Sequence, residues 1–230
     1  MLRGVPDDVA AINQSIKDFL DIKHDNGKSI GSALGIYVFF DYDQEPIYVG
    51  QTEEGLRTRI RRHMTNQRTD AVAMNVLDPF EVAYIEVWPL RFDKVSSAEK
   101  HEFQLTLSAA EFTVFQKVLR ESKLKAVLNE KDIPSANEIQ LPRSHRARII
   151  PDDIFESRQH PDIRIARRAS TIARLAQVIS ERNVSLGLRR TLVTQAWRLQ
   201  ALAIERFGEF DGTIPAEQSG EETGETTADS

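Results

Sequence analysis

Residues 35–40 (GIYVFF) and 47–49 (IYV) are two apolar runs on either side of the polar segment DYDQEP, and this arrangement constrains the fold more than anything else in the chain. The first run has no polar alternation, which suits a strand covered on both faces rather than one with a wet side. Residues 41–46 carry turn-forming types, so the stretch predicts a β-hairpin with a longer loop. A sheet with a layer on each side must therefore form around it.

The rest of the chain supplies those layers. Val9, Ile12, Ile16, Phe19 and Leu20 form a helical stripe over residues 7–24, which Gly27, Gly31 and Ser32 break. Leu56, Ile60 and Met64 repeat at four-residue spacing and predict a helix over 53–66. Residues 80–88 predict a third strand, ended by Pro89. A helix is expected over 108–122, and the preceding residues 99–107, with Phe103, Leu105 and Leu107 alternating, read as an inserted strand or loop. Residues 130–151 have linker composition, helices are expected over about 162–182 and 186–207, and the tail SGEETGETTADS has the composition of a disordered segment. The expected fold is α/β of the α+β type: a small three-stranded antiparallel sheet flanked by helices, then a C-terminal α-helical hairpin and a disordered acidic tail. The expected organisation is an N-terminal helix in 1–30, a sheet-containing domain in 31–130, a linker in 131–160, an arginine-rich helical hairpin in 161–208 and the tail in 209–230.

Charge follows the same division. The net charge is -5, but residues 143–208 hold 13 arginines against six acidic residues, and residues 209–230 hold seven acidic residues and no Lys or Arg. The arginines of 161–208 suit either phosphate contact or packing, including assembly with a second copy or another protein. The absence of cysteine excludes disulfides, thiolate–zinc sites and a cysteine nucleophile. The N-terminal residues are acidic and amphipathic, and no run of about 18 apolar residues occurs, so a cytoplasmic protein without a membrane partner is expected.

Gly35-Ile36-Tyr37 and Tyr48-Val49-Gly50 carry a family resemblance. Followed by Arg59, Glu111 and Asn129, they resemble the ordered motif set of the GIY-YIG nucleases over about residues 30–130. The resemblance implies that both tyrosines converge on one side of the sheet, that Arg59 faces a phosphate, and that Glu111 holds one Mg²⁺ or Mn²⁺. His63, four residues after Arg59 in LRTRIRRH, is similar to the Arg-x-x-x-His arrangement of the family's restriction enzymes, where the histidine helps the tyrosine lose its proton. The implied catalytic set is Tyr37, Tyr48, Arg59, His63 and Glu111. Gly50, Gln51, Arg57, Arg62 and Asn129 are the expected substrate-binding residues, and DNA is the expected substrate.

Each residue has a plainer explanation. The tyrosines fit as core aromatics, and the arginines of 53–66 fit as a solvated face. Ser108-Ala109-Ala110-Glu111 reads as a capping box, although Glu111 also falls in line with Leu107, Val114, Phe115 and Val118 on the stripe expected to face the sheet. A non-catalytic nucleic-acid-binding or assembly module that keeps the GIY-YIG fold is the alternative to an endonuclease.

Overall fold

The central strand is β1 (Leu34–Phe40), which pairs on one side with β2 (Pro46–Thr52) and on the other with β3 (Tyr84–Arg91). A short β4 (His145–Arg148) continues the sheet beyond β3, giving the order β2-β1-β3-β4 with every pair antiparallel. The computed structural model describes residues 6–64, 78–129 and 131–210. Its helices are α1 (Asp7–Asp21), α2 (Leu56–Met64), α3 (Lys100–Glu121), α4 (Asp152–Arg158), α5 (Pro161–Glu181) and α6 (Leu186–Gly208).

The unbroken apolar run in β1 serves two cores. Tyr37 and Phe39 point into a cluster with Ile16, Leu20, Leu56, Ile60, Leu175 and Leu188, so α1, α2, α5 and α6 lie on that face. Ile36, Val38 and Phe40 point the other way, onto Phe103, Leu107, Val114 and Val118 of α3. Period-two alternation places neighbouring residues on opposite faces, so both sets must be apolar.

Three sequence expectations need correction. The third strand starts at Tyr84 rather than residue 80, because Pro79–Glu81 form a 3-10 turn whose N-terminus is capped by Asp78 accepting the Phe80 amide. It also runs through Pro89, which stands opposite Gly35 at a register shift and beyond the reach of β4, where a missing N–H costs no ladder bond. Gly35 has no side chain because a Cβ there would strike the Trp88 carbonyl.

The second correction is α3, which begins at Lys100 and includes the stretch expected to be a strand or loop. Phe103 and Leu107, four apart, are buried, while Leu105 is 61% exposed, so the alternation was a coincidence on a helical stripe. Ser108 lies past the second turn, and the capping box therefore does not exist. The third correction is the sheet itself, which has four strands. β4 forms from HRAR within the expected linker, and Ile133, Ile139 and Leu141 pack on the α3-side core. No apolar alternation announces β4; Arg146 lies over the Phe40 ring at 3.9 Å instead.

The arginine-rich hairpin is attached to the domain by buried charge. Asp41, 1% exposed, uses Oδ1 to accept the amides of Asp43 and Glu45, which shapes the β1–β2 turn. Its Oδ2 accepts Arg198 at 2.5 Å and Arg168 at 2.9 Å, and Arg164 lies 3.5 Å away. Arg164 also forks onto Asp43, Arg167 binds Asp78, and Arg198 reaches the Pro46 carbonyl. These four arginines thus pack against the domain and are not left over for phosphates. The expected tail falls almost wholly in residues 211–230, outside the described residues.

Removing the charge in Asp41→Asn should destabilise the protein by about 3 kcal/mol, because buried guanidinium groups lose their counter-charge. Urea unfolding measures this; a loss under about 1 kcal/mol would mean that water screens the cluster.

Candidate active site

β2 is an edge strand, and its outer side is closed only in part. Leu128 donates its amide to the Ile47 carbonyl, and the Asn129 side chain pairs with Val49 through both groups, Val49 N–H to Oδ1 at 3.1 Å and Nδ2 to the Val49 carbonyl at 2.7 Å. Asn129 therefore acts as a strand substitute, and its amide is used by the backbone rather than left for substrate. The next residue of β2 is Gly50.

Gly50 sits against Tyr37 across the β1–β2 pair. A Cβ there would lie 2.5 Å from Tyr37 Oη and 2.7 Å from Tyr48 Cε1, so any side chain would displace both rings. The glycine thus permits the two tyrosines to approach, with ring centroids 6.0 Å apart. Substrate contact by Gly50 is not needed to explain it.

Tyr37 is fully buried, yet its hydroxyl is heavily engaged. It lies 3.0 Å from His63 Nε2 and accepts from Arg59 Nε at 3.4 Å. Burial, reinforced by Tyr48, pushes the Tyr37 phenol well above its ordinary range despite the charge of Arg59. A free phenolate is therefore disfavoured, and any proton Tyr37 accepts has to be matched by one it gives away. His63 is placed to receive it. The helical spacing of Arg59 and His63, one turn apart on α2, brings both to the same hydroxyl.

Arg59 keeps most of its donors. Among the described residues its one hydrogen bond is to Tyr37, and the nearby Glu54 is held by both nitrogens of Arg62. Arg57 turns the other way, onto the Leu20 carbonyl and Asp21 of α1, and the same guanidinium fills the space beside Gly31. Of the two arginines expected to bind substrate, Arg57 is thus held against α1 and Arg62 lies in an exposed pair with Glu54. Adjacent helix positions point in different directions, and Arg59 is the one of these three that faces the Tyr37 hydroxyl.

Glu111 approaches from α3, on the opposite face of the sheet, and feels the positive charge of Arg59. Burial raises its carboxyl to about 7, with Arg59 opposing, and it makes no hydrogen bond with a described residue. Glu99 is tied to Arg91 and Ser96 at the start of α3, about 18 Å along the helix from Glu111. Gln51 leaves its buried Oε1 without a hydrogen-bond partner among the described residues. No cluster of three or more His, Asp or Glu able to hold a metal occurs among the described residues, so a cation would depend on Glu111, water and substrate oxygens.

Two outcomes follow for folding. Gly50→Ala should cost about 1–3 kcal/mol by overpacking the tyrosine pair, measured by denaturant unfolding; a neutral effect would show that the rings move aside freely. For Glu111, the raised folded value means that its stabilising contribution is fully present below pH 4.5 and is lost as pH rises through about 7. Glu111→Gln should therefore stabilise the metal-free protein at pH 8 by about 1–2 kcal/mol, allowing for partial exposure, and not at pH 4. Thermal melts at the two pH values decide it, and equal melting shifts would contradict a buried carboxylate.

Residues 33–111 match the family model described as the GIY-YIG catalytic domain, spanning the region from β1 to Glu111. No curated protein and no solved structure matches the chain. The motifs of β1 and β2, the hydroxyl pair they position and the family match coincide in one place, and residues 33–111 are therefore similar to the GIY-YIG catalytic domain.

Proposed function

We propose that this protein is a metal-dependent DNA endonuclease that hydrolyses phosphodiester bonds with Tyr37, Tyr48, Arg59, His63 and Glu111. The observation that carries the proposal is the hydroxyl of Tyr37, held between His63 Nε2 and Arg59 Nε in a site where burial opposes a free phenolate. A buried tyrosine hydroxyl needs one hydrogen-bond partner, and this one has both a histidine and an arginine.

The residues suggest a division of labour. With its Nε2 unprotonated, His63 accepts the Tyr37 proton as Tyr37 accepts one from the attacking water, so negative charge never rests on the buried oxygen. Arg59 presents the unused part of its guanidinium fork to the non-bridging phosphate oxygens, where charge accumulates as the bond to the leaving oxygen breaks. Tyr48, beside Tyr37, orients the water or the phosphate. Glu111 fits a single Mg²⁺ or Mn²⁺, since a lone carboxylate completed by water and phosphate oxygens is the usual setting for such a hard ion. The bound ion would supply further charge stabilisation at the phosphate.

The alternative, a nucleic-acid-binding or assembly module, would tolerate loss of the Tyr37–His63 contact. The test is cleavage of supercoiled, branched and single-stranded DNA with Mg²⁺ or Mn²⁺. Tyr37→Phe and His63→Ala should each reduce the rate by about 10²-fold or more with DNA affinity preserved, and Arg59→Ala by at least as much. Metal-dependent cutting absent from the wild type on every substrate, with binding intact, would favour the module.

A further inference from the structure

α6 has two apolar faces. The inner one, with Leu188 and Leu202 beside Thr191, Thr194, Gln195 and Arg198, is buried against the rest of the protein. The outer one carries Leu186, Val193, Trp197 and Ile204, which are 81%, 49%, 56% and 45% exposed. These four are spaced 7, 4 and 7 residues apart. At about 100° per residue they fall within roughly 20° of one line along the helix. Phe207 and Phe210 lie exposed at its C-terminal end. Scattered apolar residues on a surface need no account, but a continuous stripe with a tryptophan at its middle does.

We propose that this stripe docks a second copy of the chain, α6 against α6, antiparallel about a two-fold axis. The order of the residues carries the choice of occupant. The stripe is symmetrical in sequence about position 195, so an antiparallel partner sets Leu186 of each copy beside Ile204 of the other and Val193 beside Trp197. Self-complementarity of this kind is what an isologous interface requires. Charge agrees with the direction. Exposed Arg189 stands at the N-terminal end of α6 and exposed Glu205 near its C-terminal end, while Arg190 is held by Asp132 and Glu209 by Arg206. Antiparallel pairing brings opposite signs together, whereas parallel pairing superposes like charges and aligns the helix dipoles. The chain's own C-terminal residues 211–230 do not match the stripe, having Ile214 as their sole large apolar residue. Nucleic acid does not match it either, because the stripe itself has no cation.

The proposal is independent of the nuclease chemistry, and none of its tests reads cleavage. Sedimentation equilibrium of the full chain should give twice the 26.1 kDa chain mass. Trp197→Glu should weaken pairing at least about 30-fold while leaving the far-ultraviolet circular dichroism unchanged. Because the chain has no cysteine, single cysteines report the direction cleanly. In the antiparallel pair Val193→Cys lies about 6 Å along the axis from its mate, and Leu186→Cys about 27 Å. A short bis-maleimide should join the first and spare the second. A wild type that stays monomeric at about 100 µM, above the dissociation constants of ordinary specific dimers, overturns the proposal. So does a folded Trp197→Glu variant that still pairs as well as the wild type, or equal cross-linking at both cysteines.

Discussion

Asp41 is the interaction on which the arrangement of this protein depends. One of its oxygens holds the backbone of the β1–β2 turn, and the other collects guanidinium groups from both α5 and α6. The hairpin that presents the two tyrosine motifs and the C-terminal helices are therefore fixed to the same carboxylate. A buried charge is costly unless nearly every lone pair is satisfied, and here backbone amides and arginines meet that requirement together.

The same logic accounts for the uneven charge of the chain. An excess of arginine in residues 143–208 invites a phosphate-binding interpretation, yet Arg164, Arg167, Arg168 and Arg198 are taken up by Asp41, Asp43, Asp78 and Glu81. The basic second part and the acidic first part are largely complementary to each other. Net charge on a segment is a statement about partners only after its internal pairs have been removed.

At the site, the protein carries groups that folding would prefer to do without. Tyr37 Oη is buried, and burial raises the Glu111 carboxyl to about 7. Burying a titratable group costs stability unless its charged form is compensated. Gly50 is the packing counterpart, an absence of side chain that lets the two aromatic rings meet at the edge of the sheet.

The sequence by itself determined the central hairpin, because six apolar residues in a row leave a strand no solvent-facing side. It also placed Arg59 and His63 on one helical face, because helical spacing is a local property, whereas their meeting with Tyr37 was implied by the resemblance to the GIY-YIG nucleases. It misjudged α3, where a helical pair at 103 and 107 was masked by an apolar residue at 105 that faces water. It gave no sign of β4, since a strand added to a sheet edge can be held by backbone bonds and cation–π contacts without an apolar pattern. Only the tertiary structure decided which arginines are spent. Arg57, Arg59 and Arg62 are chemically identical on one short helix, but a guanidinium's role is set by the carboxylate, carbonyl or hydroxyl that the fold brings within about 3 Å of it. That distance is a property of packing between segments far apart in the chain.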